Sequence, residues 1–469
     1  MKKENKLLIA PINRTIIFLA LPITFAMMLQ IIYTMVDTFW VGRLGADAVA
    51  AVSLSFPIIF LLTSAGMGLA MAGTILVSQY KGREEREKVN KISSQTFSLV
   101  LMVSLILGII GFLFSKYLVI LLGASPTVIP QAIGYLKISF LGLIFMFSYV
   151  TYQSLMRGIG EVKIPLYIVL GTVILNFFID PLFINGYGII PAWGVSGAAI
   201  ATIISQGIAS IIGFAILFSG KFEIHLNLKH FKPELKLFKK IILLGLPASI
   251  ERSLTPLGML IMTFIAAGFG TIAIASFGLG TRILSLVILS AVGLSIAMST
   301  LIGQHIGAEK IERAGKISKS GIWFAFLIPT LLGILLFIFA RPIAHFFVPN
   351  ETELINSVVQ FIRIMSPTFG FLGINMVVMG IFRGAGKTSS AMILSFIHTI
   401  IMVTGAIILS QMSFGVLGIW YSYPIANVLA SSIAIIWLST GSWKTKRIIN
   451  EKIIESKIDS ETIKEMGIE

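Results

Sequence analysis

Three carboxylates stand inside long apolar runs, at Asp37, Asp180 and Glu251, once tails and connections are set aside. A charge in hydrocarbon is costly, so such a residue faces a bundle interior or a wet cavity, pairs with a cation, or takes up a proton. Asn176 precedes Asp180 by four residues, which puts both side chains on one helix face. Gln30, Tyr33 and Asp37 repeat that logic at spacings of three and four. Two carboxylates, an amide and a hydroxyl suit Na⁺ or a proton, because hard cations prefer oxygen and close carboxylates can share one proton. A structural interaction of Asp37 with Lys137 is the competing account, and the place of Asp180 beside Pro181 also permits a turn role. Glu251 is open to two readings: a coupling role, or a neutralising ion pair with Arg282 at similar depth, Arg363 being a further cation within spans. Tyr135 approaches Asp37 if their helices are neighbours, and is otherwise an interior tyrosine.

Only a membrane scaffold can position these residues. The chain has 469 residues, 56% of them hydrophobic and 12% charged, against the roughly 25% charged of a soluble domain. Its mean hydropathy is +0.94. With no cysteine, it has no disulfides, thiolate metal sites or cysteine nucleophile. A hydrocarbon layer about 30 Å thick takes about 20 apolar residues per helix. Twelve stretches qualify, near 16-41, 49-77, 93-115, 129-155, 163-183, 192-218, 239-265, 271-303, 319-341, 356-381, 389-411 and 418-441. No small-residue cleavage site follows the first, which reads as a span and not a signal peptide. Counted alternately across the connections, 29 of the 36 Lys and Arg fall on the side that carries both termini. Both termini are therefore expected in the cytoplasm, with the chain multi-pass in the plasma membrane. The net charge of +15 follows from this asymmetry and implies no nucleic-acid partner. The tail beyond Lys444 reads as a short surface helix or a frayed end.

The chain is written twice. A shift of 225 residues lays Leu21-Pro22 on Leu246-Pro247, Gly45 on Gly270, Gly68 on Gly293, Gln79 on Gln304 and Gly82 on Gly307. A shift of 226 lays Arg157-Gly158-Ile159-Gly160 on Arg383-Gly384-Ala385-Gly386. Six spans per unit is an even number, so both units share one orientation. The expected fold is an all-α polytopic membrane protein, twelve transmembrane helices in two parallel six-helix lobes related by a pseudo-twofold axis along the membrane normal. The lobes are placed at 1-220 and 241-441, joined by a linker at 221-240 and followed by a tail at 442-469. A cleft between such lobes suits alternating access. The second-lobe counterparts of Asp37, Asn176 and Asp180 are Met262, Met402 and Ala406, which confines the acidic set to one lobe. Pro247 and Pro256 make the seventh span the expected place for a bend or break.

Two apparent motifs fail. Gly384-Ala385-Gly386-Lys387-Thr388 mimics the end of a phosphate loop, but Ile381 stands where its first glycine belongs and a helix precedes it. The five histidines form no metal motif, and His398 reads first as a satisfied interior residue.

The chain resembles the multidrug and toxic compound extrusion (MATE) transporters from about Ile16 to Thr440. The resemblance rests on Leu21-Pro22, Val36-Asp37-Thr38-Phe39-Trp40-Val41-Gly42, the two Gln-x-x-Gly segments, Arg157-Gly158-x-Gly160 and Asn176-x-x-x-Asp180-Pro181. It is most similar to the DinF-like branch, including archaeal members. The resemblance implies a non-enzymatic antiporter, exporting amphipathic, often cationic, drugs or metabolites in exchange for H⁺ or Na⁺ and needing no cofactor. It implies a cation site at Asp37, Asn176, Asp180 and Thr202, where Na⁺ is the candidate metal, with Gln30, Tyr33 and Tyr135 on the substrate path. A monomer in contact with membrane lipid is expected. The alternative is a flippase for a lipid-linked oligosaccharide or other lipid precursor.

Overall fold

The computed structural model describes residues 5–444, so the tail helix expected beyond Lys444 lies outside the described residues. The first half of the chain forms α1 (Ile12–Gly42), α2 (Ala46–Gly82), α3 (Arg86–Leu121), α4 (Ile129–Ile159), α5 (Lys163–Asn185) and α6 (Gly194–Ser219). The second forms α7 (Leu235–Ala267), α8 (Thr271–Gly307), α9 (Ile311–Ile338), the short α10 (Ala340–Phe347), α11 (Thr352–Met365), α12 (Phe369–Gly384), α13 (Thr388–Gln411) and α14 (Val416–Ser439). Among the described residues twelve spans are long and apolar enough to cross a membrane, with α11 and α12 together making the tenth. Every backbone polar group must be paired within the lipid, which is why such runs are helical.

The expectation of a break in the seventh span changes. The seventh span is a single helix despite Pro247 and Pro256 inside it. The interruption falls in the tenth span, where Ser366–Thr368 tighten into a 3₁₀ turn around Pro367. A proline withdraws one backbone donor and crowds the preceding turn. Next to Thr368 and the close-packed Phe369-Gly370 this turn separates α11 from α12, whereas α7 continues through both of its prolines.

The duplication reappears in the backbone. Gly45 and Gly270 precede α2 and α8 with φ near +106° and +96° and ψ near 180°, a region essentially closed to residues with a Cβ. Glu84 and Glu309, also 225 apart, both adopt φ near +60° after the two longest helices.

The lobes meet along α1, α2, α7 and α8, with α1 against α8 and α2 against α7. At the end that carries the termini this contact is dense. Gln79 donates from Nε2 to the Gly384 carbonyl and Gln304 to the Gly158 carbonyl, each at 2.9 Å. The two repeated motifs thus clasp each other across the pseudo-twofold axis. A Cβ on Gly82 would lie 2.0 Å from the Gln304 carbonyl oxygen, and one on Gly307 would lie 1.9 Å from that of Gln79. Further along, Gly68 admits Ser249 and its counterpart Gly293 admits Thr24. From Ala291 to Gly307, α8 is buried almost without interruption, while its first third alternates between buried and exposed. The lobes are therefore closed at the terminus-bearing end and separate toward the other.

Candidate cation site and the inter-lobe cavity

Helix α1 packs on α5, and α5 on α6, inside the first lobe. Asp37 and Asp180 each stand five residues before the end of their helices, at Gly42 and Asn185. That puts both in the half of the lobe remote from the termini. Asp180 and Asn176 are fully buried. Asn176 Nδ2 donates to Asp180 Oδ1 at 2.7 Å, one helical turn away. Asp37 neighbours Asp180 and Asn176, and its Oδ2 accepts from Thr202 Oγ1 of α6 at 3.2 Å. Tyr33 reaches the Thr202 carbonyl at 3.5 Å. Tyr135 of α4 stands within electrostatic range of both carboxylates.

The remaining oxygens are left without donors. Asp37 Oδ1, Asn176 Oδ1 and Asp180 Oδ2 are all buried and unpartnered. An unpaired buried acceptor costs about 1–3 kcal/mol, more when charged. Two ionised carboxylates held side by side away from water repel each other, by about 4 kcal/mol for unit charges about 4 Å apart at an effective dielectric near 20. One proton or one Na⁺ between them removes both penalties. The donor set is all oxygen, which fits either ion. Among the described residues no group of three or more His, Cys, Asp and Glu is placed to hold a metal ion, so a transition-metal centre of that kind is not built here.

The second lobe fills the equivalent place with Met262, Met402 and Ala406, packed together in one apolar cluster with Phe361 and Trp420. A residue beside the first-lobe site that the sequence reading missed is Ser205, near Tyr33, whose Oγ is buried without a hydrogen-bond partner. Its spacing of three from Thr202 on α6 is the signal that would have found it.

Not every expected residue converges. Gln30 lies one heptad from Asp37 and lines a separate cavity between the lobes. Lys137 rests over the Phe112 ring, 5.2 Å from its centroid, so the structure does not pair it with Asp37. Arg282 is exposed and makes no ion pair among the described residues. Glu251 bonds instead to Arg383 Nη1 at 2.9 Å, while Arg383 Nη2 donates to Ser295 Oγ at 2.7 Å. Ser295 therefore marks the depth of Glu251 on α8, and Arg282 lies thirteen residues away, about 20 Å along the helix. Counting from an assumed span end misjudged this depth because α8 is 37 residues long. His398 is a satisfied interior residue, 3.0 Å from Asn427 Oδ1.

The MatE family model matches the chain twice, at residues 22–182 and 247–408, two starts separated by the repeat length found in the sequence. The probable multidrug resistance protein YoeA of Bacillus subtilis is 29% identical over 441 residues, covering 93% of this chain and 95% of that protein. A protein of Shewanella oneidensis named as an FAD transporter is 26% identical over 439 residues, covering 92% and 95%. Among solved structures, a crystal structure of MATE in complex with MaL6 superposes with a TM-score of 0.89 at 23% identity, covering 95% of this chain and 100% of that one. That likeness establishes the two-bundle fold. With the site, the duplicated lobes and both family matches in register, the chain belongs to the MatE family of multidrug and toxic compound extrusion transporters.

Proposed function

We propose that the protein exports amphipathic organic molecules by alternating access, driven by inward movement of one H⁺ or Na⁺ through Asp37 and Asp180. The observation that carries this reading is the set of three buried oxygens, Asp37 Oδ1, Asn176 Oδ1 and Asp180 Oδ2, with no donor among them. Thr202 and Ser205 complete the cation site; Tyr33 and Tyr135 form its wall toward the substrate path. Cation binding shifts the equilibrium between lobe arrangements only if affinity differs between them. The site lies where the lobes are apart, so a cation enters from the side opposite the termini. The excess of Lys and Arg at the terminus-bearing face supports placing that face in the cytoplasm.

Division into lobes at 1–220 and 241–441, membership of the DinF-like branch, and a monomer in the plasma membrane belong to the same proposal. Branch membership rests on Asp37 with Asn176-x-x-x-Asp180. Relatives named for drugs and for FAD stand side by side, so the cargo follows from this chain's own cavity. A second reading, movement of a lipid-linked precursor, is favoured by Arg157, Arg252 and Arg383, which line the inter-lobe cavity together with Gln30. Efflux from proteoliposomes under separately imposed Na⁺ and pH gradients tests coupling. Asp37→Asn and Asp180→Asn should each abolish gradient-driven flux in folded protein, and unchanged flux in both would reject the site.

A further inference from the structure

A cavity of about 110 Å³ lies between the lobes, and three arginines line it: Arg157 from α4 of one lobe, Arg252 from α7 and Arg383 from α12 of the other. Among the described residues Arg383 is the one member in an ion pair, with Glu251. Arg157 donates to the uncharged Oε1 of Gln153 at 2.7 Å. Neither Arg157 nor Arg252 forms an ion pair among the described residues. The Nε atoms of Arg252 and Arg383 are buried with no acceptor, as is the Oγ of Ser299 on the same wall. The cluster thus holds an uncompensated positive charge and several unused donors. Guanidinium forks match the oxygens of phosphoryl and carboxylate groups in pairs.

The geometry points to an anion subsite, in which Arg157, Arg252 and Arg383 hold the phosphoryl or carboxylate group of the transported molecule. The volume is below the roughly 300–1,000 Å³ of sites for drug-sized molecules, so the charged head enters and the remainder lies outside. Gln30 is the exposed residue of the lining and marks the way into the open cleft. Met27, Met67 and Met71 beside it offer adaptable apolar contact. Such a subsite favours an anionic cargo over a cationic one, because a cation would meet Arg157 and Arg252, neither of which forms an ion pair among the described residues. Because the arginines come from both lobes, closing the terminus-bearing end gathers like charges, and a bound anion offsets their repulsion. The physiological meaning rests on the transport reading above; the binding itself does not.

The test is equilibrium binding of radiolabelled pyrophosphate to the full chain in phosphatidylcholine nanodiscs. A second arm adds phosphatidic acid to the bilayer and reads displacement. Because Arg383 also neutralises Glu251, the variants are Arg157→Gln and Arg252→Gln, with Arg252→Lys to restore charge and thermal melting to confirm folding. Saturable binding is expected, weakened about 10- to 100-fold in each Gln variant, partly regained in Arg252→Lys and kept in Asp37→Asn. Displacement by phosphatidic acid would assign the head group to lipid, and its absence to a soluble phosphorylated molecule; both support the subsite. Absence of saturable pyrophosphate binding and of arginine-dependent phosphatidic acid retention would overturn it, as would pyrophosphate binding that both folded Gln variants retain. Gradient-driven flux without anion binding would sink this inference alone, and anion binding without gradient-driven flux would sink the transport reading alone.

Discussion

Replacing Gly82 or Gly307 by alanine should open the terminus-bearing end of the molecule. Each new Cβ would lie about 2 Å from a backbone carbonyl oxygen of the facing lobe, at Gln304 or Gln79. Neither obstacle is a flexible side chain, so the lobes themselves must separate. Overpacking of this kind costs about 1–3 kcal/mol, and the cost falls only on the arrangement in which α2 and α8 touch. The population open at that end should rise by about 5- to 150-fold. The chain has no cysteine, so Ser299→Cys on the cavity wall makes a single-site reporter without background. A membrane-impermeant maleimide supplied from the terminus-bearing side should label this cysteine faster in both glycine variants by a factor in that range. Gly171→Ala, where nothing lies within 4 Å, controls for the higher helix propensity of alanine and should leave the rate unchanged. Equal labelling in the parent and in both folded variants would refute the idea that these glycines set the closure.

Further outcomes follow from single contacts. Glu251→Gln leaves buried Arg383 without its counter-charge and should cost about 3–5 kcal/mol of stability, read as a lower melting temperature. Adding Arg383→Gln should recover most of it, and a double variant worse than the single would show that the pair does not act as a unit. Lys137→Ala should leave gradient-driven flux intact, because Lys137 stacks on Phe112; loss of coupling would revive its pairing with Asp37. Introducing Met402→Asn with Ala406→Asp should destabilise the second lobe, since both positions lie within a packed apolar cluster and a buried unpaired carboxylate is costly. Unchanged melting would mean that the second lobe is not the sealed counterpart described above.

The architecture was legible because its signals are local or periodic: twelve apolar runs and a repeat in register over whole helices. The 225-residue shift identified Gln79, Gly82, Gln304 and Gly307 as equivalent but not as reciprocal contacts, since only the folded lobes bring them face to face. Asn176 and Asp180 could be paired from helix geometry alone, whereas Thr202 required a resemblance and Ser205 escaped notice, because contact between α1, α5 and α6 is tertiary. Glu251 was given the wrong partner for a similar reason. Depth along a 37-residue helix cannot be measured from an assumed lipid boundary. The arginine cluster draws on three helices, with Arg157 and Arg383 226 residues apart, so the sequence presents these two as matching repeat positions and not as neighbours in one cavity.

Direct cation uptake by the purified chain tests the central claim most closely. Proton uptake and radioactive Na⁺ binding, measured on the same preparation, should give at most one cation per chain, with the two ions excluding each other if both bind. Asp37→Asn and Asp180→Asn should each eliminate it, while Arg252→Gln should not. Undiminished uptake in either aspartate variant, with the fold intact, would contradict the assignment of one shared cation to these two carboxylates.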